Sequence, residues 1–123
     1  MLGNFDPERP LFLQVAELLE EAILSGAYAE ENQIPSITEL SVSCKINPAT
    51  ALKGVNLLVE KALLYKKRGL GMFVAAGARA RLAEERKARF YAGYIAPMLA
   101  EARKLGLNPA DVKEMIDKGE TQR

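Results

Sequence analysis

Apolar residues recur at helical spacing near the start of the chain and predict an amphipathic helix over residues 10–25. Pro10 suits the first turn because its φ is fixed, and the Ser25-Gly26 pair predicts a glycine stop. The apolar positions of this helix are Leu11, Val15, Leu18, Leu19, Ala22 and Ile23. A connecting loop is expected to follow as far as Pro35.

Two further helices are predicted with only about three residues between them. Ser36 and Glu39 have the spacing of a capping box, which starts a helix of about two turns. Asn47-Pro48 starts the next, because asparagine is a strong N-cap and proline is tolerated at the first helical position. Such a short connection forces the helices to cross steeply, as in a helix-turn-helix. The expected buried positions of the first of them are Ile37, Leu40 and, as a further candidate, Val42.

The second of these helices has an apolar arc of roughly 120° on a helical wheel. The arc contains Ala51, Leu52, Val55, Leu58, Val59 and Ala62. The positions outside it are small, polar or charged: Ala49, Thr50, Lys53, Asn56 and Glu60. Gly54 should cost on the order of 1 kcal/mol relative to alanine, unless it permits close approach of a neighbour or of DNA. Leu57 does not fit the pattern.

Two β-capable runs, 63–67 and 72–75, flank the glycine-rich turn 68–71 and predict a hairpin. A helix pair followed by a basic hairpin is the arrangement of a winged helix-turn-helix. The predicted domains are therefore 1–77, a winged DNA-binding domain, and 78–123, a helical tail.

The tail has the pattern of one long helix from residue 79 to about residue 104, with Pro97 expected to kink it and Gly106 to end it. Asn108-Pro109 predicts a last helix, whose apolar face would be Val112, Met115 and Ile116. The long helix carries an apolar stripe made of Tyr91, Tyr94, Ile95, Met98, Leu99, Ala102 and Leu105. Because an appendage of about 40 residues cannot bury such a stripe alone, we expect it to pack against the winged domain, a second subunit, or both.

Charge is unevenly distributed, although the net charge is only +1. Residues 40–77 carry six bases against one acid, whereas residues 1–39 carry one base against eight acids. The bases of the positive window are Lys45, Lys53, Lys61, Lys66, Lys67 and Arg68. Positive charge confined to one window suits a polyanionic partner at that window.

Several classes of function are excluded or disfavoured by composition. The chain has no histidine and a single cysteine, Cys44, so a histidine-based catalytic site and an intrachain disulfide are ruled out. No activated nucleophile or ligand cluster is recognisable, so we expect neither an enzyme nor a metal or other cofactor. No apolar run approaches the roughly 18 residues of a membrane span, and a cytoplasmic protein is expected. Cys44 is interpreted as a small buried residue.

The order of these features resembles the GntR family of bacterial transcription regulators over roughly residues 10–75. The similar segments are 10–16, 23–26, 34–40, 47–50 and 68–74. The Asn-Pro-x-Thr form and the short tail look most like the YtrA subgroup, in which the tail is a dimerisation element. The resemblance implies a mainly α fold with a small β-hairpin, in which a winged helix-turn-helix precedes a two-helix C-terminal dimerisation tail.

The resemblance and the charge pattern together indicate the residues that contact DNA. They are Ser36, Thr38, Lys45, Asn47, Pro48, Ala49, Thr50, Lys53, Lys66, Lys67, Arg68, Gly69, Leu70 and Gly71. The hydroxyl groups suit phosphate oxygens, while Asn47 and Lys53 suit base edges. Ala49 offers a methyl surface to thymine, Arg68 suits a narrow minor groove, and the two glycines permit close approach of the backbone. The apolar stripe of the tail is the expected dimer interface.

Three positions depart from the family pattern. Thr38 stands where arginine is usual, Leu70 where the wing tip usually has a cation, and Met72 where a small hydroxyl residue is usual. Two fewer cationic contacts should flatten the salt dependence of DNA binding.

The favoured function is a homodimeric, sequence-specific regulator of transcription that binds double-stranded DNA at a palindromic operator, with repression as the expected direction. The alternative is a winged-helix protein–protein adaptor with weakened or lost DNA binding, which Thr38, Leu57, Leu70 and Met72 motivate. A small-molecule effector, if there is one, is expected at the dimer interface or between the tail and the winged domain. Tyr91, Tyr94 and Met98 are then candidates to line a pocket between subunits, the other interpretation being that they pack in the core or the dimer interface.

Overall fold

The computed structural model describes residues 5–121. Six α-helices and one two-stranded antiparallel sheet occur in this part of the chain, together with a π-helical turn at Tyr91–Ile95 between the fourth and fifth helices. The elements are α1 (Leu11–Ser25), α2 (Ile37–Cys44), α3 (Pro48–Glu60), β1 (Leu64–Lys67), β2 (Gly71–Val74), α4 (Ala78–Ala88), α5 (Ala96–Lys104) and α6 (Pro109–Thr121). The predicted fold class is confirmed.

Three helix ends form where the sequence predicted them, because they depend on local chemistry. Gly26 ends α1 with φ 87°, in the left-handed region that glycine adopts without strain. Ser36 and Glu39 form both hydrogen bonds of a capping box at α2. The Asn47 side-chain oxygen accepts the Ala49 N–H at 2.8 Å and caps α3.

The core lies between α1 and α3 and is closed by the hairpin and the start of α4. Its members come from all of these elements and include Val15, Leu19, Ile23, Val55, Leu58, Leu64, Val74 and Leu82. Gly54 of α3 permits the closest approach: a Cβ there would lie 2.9 Å from Val15 Cγ1 and 3.0 Å from the Phe12 carbonyl oxygen. The predicted close approach at Gly54 is therefore to a neighbour, α1.

Four apolar positions that the sequence placed on buried faces of the first unit are exposed: Leu11, Val42, Leu52 and Ala62. Val42 is 73% exposed, because the short α2 packs through Leu40 and Cys44 and leaves the opposite side to solvent. Leu52 is 43% exposed, because contact with α1 at Gly54 rotates the buried side of α3 away from it. The same rotation brings Leu57 against the core.

Ala62 is also exposed, because α3 has already ended and the chain turns there with φ 59°. Cys44, in contrast, is buried as predicted.

The predicted single helix from residue 79 to 104 is wrong, since the helical path is divided by the π-helical turn. Pro97 has no amide hydrogen and cannot complete the regular ladder of hydrogen bonds. The preceding turn is wider by one residue, and the Ala96 N–H donates to the Tyr91 carbonyl five residues back. The interruption therefore lies in the turns before Pro97, which itself stands in the first turn of α5, and it takes the form of a π-helical turn.

The chain divides into two compact units, the first ending at Ala83 and the second beginning at Glu84. The predicted domains, 1–77 and 78–123, stay a prediction; Ala78 and Leu82 belong to the core of the first unit.

Within the second unit, α5 contacts α6, and the loop between them is fixed by the Leu107 N–H, which donates to the Ala102 carbonyl at 2.9 Å. Asn108 and Asp111 exchange backbone-to-side-chain hydrogen bonds of 2.9 Å at the start of α6. Among the described residues no helix is both long enough and apolar enough to cross a membrane.

Candidate nucleic-acid interface

The turn between α2 and α3 is held by a serine that the sequence did not single out. Ser41 Oγ donates to the Ile46 carbonyl at 2.6 Å, and the Ile46 N–H donates to the Ser41 carbonyl at 3.0 Å. Lys45 lies between them, adopts φ 56° and has an exposed side chain. The hydrogen bonds on either side therefore fix the backbone that carries this side chain. Both hydrogen bonds span only five residues, but no motif recognised in the sequence singled out Ser41.

The N-terminal end of α3 is open to solvent. Asn47, Pro48 and Ala49 are exposed, and Thr50 is half-buried. Capping uses only the side-chain oxygen of Asn47, which leaves its NH₂ group as a donor. The start of α3 therefore presents an amide donor, a methyl group and a hydroxyl.

A shallow groove runs along the outer face of α3. Its lining consists of Ala49, Leu52, Lys53, Asn56, Leu57 and Glu60. Leu52 and Asn56 were missed as interface candidates: the wheel placed Asn56 outside the apolar arc, which was a usable signal, whereas it placed Leu52 inside. Leu52 and Ala49 offer apolar surface to thymine methyl groups, and Asn56 has the amide that suits adenine.

Lys53 is held against α1. Its Nζ lies 4.0 Å from the centroid of the Phe12 ring. A cation–π contact at an exposed site is worth about 0.5–1 kcal/mol, so this ammonium can be drawn to a phosphate or a base at little cost.

The hairpin pairs Leu64 with Val74 and Lys67 with Gly71, and aromatic rings stabilise one face of it. The Tyr65 and Phe73 rings are 6.0 Å apart, and Lys67 Nζ lies 4.3 Å from the centroid of Phe73. The Tyr65 hydroxyl donates to Glu31 Oε1 at 3.1 Å. Desolvation and this hydrogen bond raise the pKa of Tyr65.

A short segment before α2 pairs with β2 and joins the hairpin to the helix-turn-helix. The Ile34 N–H donates to the Met72 carbonyl and the Val74 N–H donates to the Asn32 carbonyl, both at 3.0 Å. Ser36, the N-cap of α2, follows two residues after Ile34. The structure therefore brings the predicted contacts at the start of α2 next to the hairpin.

The two glycines of the hairpin tip have different reasons for being glycine. Both have positive φ, 77° at Gly69 and 125° at Gly71. Nothing lies within 4 Å of a Cβ built on Gly69, whereas one built on Gly71 would lie 2.6 Å from Gln33 Nε2. Gly69 is thus open to a partner, whereas Gly71 is favoured by its φ of 125° and leaves room for the Gln33 amide group.

Most of the basic window is left without acidic partners. Lys61 forms a salt bridge with Glu20 at 2.6 Å. None of the salt bridges found among residues 5–121 involves the other bases of the window, which are Lys45, Lys53, Lys66, Lys67 and Arg68. These five cations lie on the α2–α3 turn, on α3 and on the hairpin.

Basic residues at the start of α4 serve the fold instead. Arg79 Nε donates to the Leu24 carbonyl at 2.8 Å, and Arg81 donates to the carbonyl of Ala62. The Glu30 carboxylate accepts the N–H groups of Gly77 and Arg79 at 2.9 and 3.2 Å. These backbone hydrogen bonds lower the pKa of Glu30.

In the second unit the predicted dimer-interface residues differ in exposure. Tyr91, Tyr94, Met98 and Leu105 are exposed, Ile95 and Leu99 are half-buried, and Ala102 is buried in its own subunit. Phe90, which no sequence pattern singled out, is exposed, and its ring centroid lies 5.4 Å from that of Tyr94. On α6, Val112 is buried as predicted, but Met115 and Ile116 are exposed.

The part of the chain that the structure describes contains no group of three or more cysteine, aspartate or glutamate side chains arranged to hold a metal ion. The chemistry of the surface is that of hydrogen-bond donors, cations and small apolar groups.

These features define a winged-helix DNA-binding protein: a helix-turn-helix in which the N-terminal end of α3 is exposed to solvent, joined to a basic hairpin. The family of bacterial regulatory proteins called gntR matches residues 11–74, and the chain belongs to that family. The resemblance seen in the sequence is thereby confirmed. The protein is a GntR-type transcription regulator with a DNA-binding domain.

Two curated relatives come from Bacillus subtilis. The HTH-type transcriptional regulator YhcF is 22% identical over 116 residues, and the match covers 94% of this chain and 94% of YhcF. The HTH-type transcriptional repressor YtrA is 27% identical over 75 residues, which are 61% of this chain and 58% of YtrA.

Two solved structures extend the comparison. A GntR-family regulator from Bacteroides thetaiotaomicron is 29% identical with a TM-score of 0.74, and the match covers 91% of this chain and 97% of that one. The DNA-binding domain of AraR in complex with an operator is 29% identical with a TM-score of 0.56, and the match covers 59% of this chain and 94% of that one.

Proposed function

We propose that this protein is a cytoplasmic repressor that binds a palindromic operator as a homodimer, with α3 of each subunit in the major groove and the hairpin beside it. One observation carries the DNA-binding part: five cations on the α2–α3 turn, α3 and the hairpin have no salt-bridge partner within residues 5–121. Uncompensated charge of this kind attracts phosphate. The similarity to AraR supports the same mode, since the structure of the AraR DNA-binding domain is that of a complex with an operator.

The residues have distinct roles in this proposal. The hydroxyl groups of Ser36, Thr38 and Thr50 bind phosphate and set the register. The NH₂ group of Asn47, which takes no part in capping, contacts a base edge at the start of α3. Lys45 and the hairpin cations contribute the electrostatic part, which carries no sequence information.

Readout of sequence comes from the groove of α3. Ala49 and Leu52 are exposed and pack against thymine methyl groups, while Asn56, one turn further along, pairs with an adenine. Lys53 leaves its contact with Phe12 to reach a guanine or a phosphate.

Dimerisation is proposed through the second unit. This unit exposes several aromatic and long apolar side chains, among them Phe90, Tyr91, Tyr94 and Leu105, and exposed apolar groups of this kind suit a protein–protein interface. Two-fold symmetry then requires an operator with two inverted half-sites. Repression is proposed because the relative YtrA is named a repressor. An effector, if there is one, would bind at this interface.

The test begins with selection of bound duplexes from a random library, using the full chain. We expect an inverted repeat, and sedimentation of the complex should give two subunits per duplex. Lys53→Ala and Arg68→Ala should each weaken binding, whereas Lys113→Ala on the exposed face of α6 should not. A selection that enriches no sequence would contradict sequence-specific binding, and a stoichiometry of one subunit would contradict the dimer.

The adaptor hypothesis has one observation in its favour. Val42, Leu52 and Leu70 are apolar and exposed on the same unit as the cations, at 73%, 43% and 62%. If a protein partner covers them, Lys53→Ala and Arg68→Ala will leave the function of the regulator unchanged, and selection will return no duplex.

A further inference from the structure

The tip of the hairpin presents a single exposed leucine. Leu70 is 62% exposed and is preceded by the cations Lys67 and Arg68 and the open Gly69. Its two backbone polar groups are both used inside the protein: the N–H donates to the Lys67 carbonyl at 2.9 Å, and the carbonyl accepts from Gln33 Nε2. At residue 70, therefore, no hydrogen-bond donor remains for a phosphate, and the exposed group is the apolar side chain.

Gln33 fixes the orientation of this leucine from outside the hairpin. It forms an antiparallel bridge with Phe73, and its side chain fills the space that a Cβ on Gly71 would occupy. The same amide group holds the Leu70 carbonyl. One side chain thus ties the tip to the segment that leads directly into α2.

We propose that Leu70 makes an apolar contact in the minor groove that flanks each half-site. Gln33 is then a positioning residue, which orients Leu70 toward that groove. This rests on the proposed DNA-binding function and adds a feature of the operator. Apolar side chains enter the minor groove at base steps that unstack easily, which are pyrimidine–purine steps such as TA and CA. The adjacent Arg68 supplies the electrostatic attraction to a narrow groove.

Two measurements distinguish an apolar contact made by Leu70 from the mere absence of a cation at this position. Leu70→Ala should weaken binding about tenfold, the order expected for losing burial of much of a leucine side chain. Because no counterion is released by a leucine, the slope of log K against log[salt] should not change, whereas Leu70→Arg should steepen it by about 0.9 per phosphate reached.

Gln33 should act only through Leu70. Gln33→Ala is expected to weaken binding in the wild-type background, but to have little further effect when Leu70 is already alanine, since the two residues serve one contact. A purely structural role of Gln33 would instead lower stability and give additive losses. The thermal midpoint of each variant is measured alongside.

The experiment is an anisotropy titration of the full chain with two duplexes that share the selected half-sites and differ only in the flank, one with a TA step and one with GC pairs. Wild type should prefer the TA flank, and Leu70→Ala, Gln33→Ala and the double variant should lose that preference. If wild type binds the half-sites but Leu70→Ala binds both duplexes as wild type does, the inference about Leu70 is wrong and the proposed function stands. If wild type binds neither duplex, the proposed function itself fails.

Discussion

Replacement of Gly54 by alanine should destabilise the first unit, which contains the helix-turn-helix and the hairpin, although alanine is the better helix former. The gain in helix propensity is about 1 kcal/mol. This gain is opposed by a steric overlap, because the new Cβ would lie 2.9 Å from Val15 Cγ1 and 3.0 Å from the Phe12 carbonyl oxygen. Neither atom gives way easily, because one is backbone and the other belongs to a β-branched side chain with a stiff χ1 in a helix.

The net effect follows from the two magnitudes. Overpacking of a well-packed core costs typically about 1–3 kcal/mol, and the rigid neighbours of Gly54 favour the upper part of that range. After subtraction of the propensity gain, Gly54→Ala should lose about 1–2 kcal/mol of unfolding free energy. For a unit of this size that corresponds to a fall in Tm of roughly 5–15 °C.

Circular dichroism during thermal and urea unfolding measures this loss. Gly119→Ala in α6 is the matched control, because nothing lies within 4 Å of its new Cβ and only the propensity term remains. The control should be neutral or stabilising by less than about 1 kcal/mol. A Gly54→Ala protein as stable as wild type, or more so, would refute the close packing of α1 on α3.

Other substitutions test the caps, the turns and the anchoring of α4. Asn47→Ala removes the N-cap of α3 and should cost about 1 kcal/mol in urea unfolding; an unchanged midpoint would mean that the cap contributes nothing. Ala62→Gly should stabilise the fold by up to about 1 kcal/mol and so raise the thermal midpoint, because glycine adopts the left-handed φ of 59° without strain. A lower midpoint would contradict this. The lowered pKa of Glu30 means that its hydrogen bonds to Gly77 and Arg79 stabilise the fold above the ordinary carboxyl pKa, and that this contribution is lost as pH falls through the lowered value. Glu30→Gln should therefore flatten the acid side of the stability profile, and a profile parallel to that of wild type would count against the assignment.

Local chemistry explains what the sequence predicted well. The capping box at Ser36, the asparagine cap at Asn47 and the glycine stop at Gly26 each depend on residues within one turn of one another. The same holds for the hairpin, whose turn is set by Gly69 and Gly71. These signals located the end of α1, the starts of α2 and α3, and the hairpin. Most of the candidate DNA contacts lie on those segments.

Tertiary packing explains what the sequence did not predict. The rotation of α3 that exposes Leu52 depends on contact with α1 at Gly54, and no wheel of α3 alone contains that information. Gln33 contacts Leu70 across 37 positions of chain, so its role in the wing was not visible locally. The π-helical turn before Pro97 is one of several ways in which a helix can accommodate proline.

The most direct test of DNA binding through α3 and the wing is the salt dependence of affinity for the selected operator. Five uncompensated cations per subunit predict a slope of log K against log[salt] between about −2 and −5 per subunit, with tight binding at low salt that weakens steeply toward physiological salt. The absence of binding to any duplex at low salt, or a slope near zero, would contradict the account.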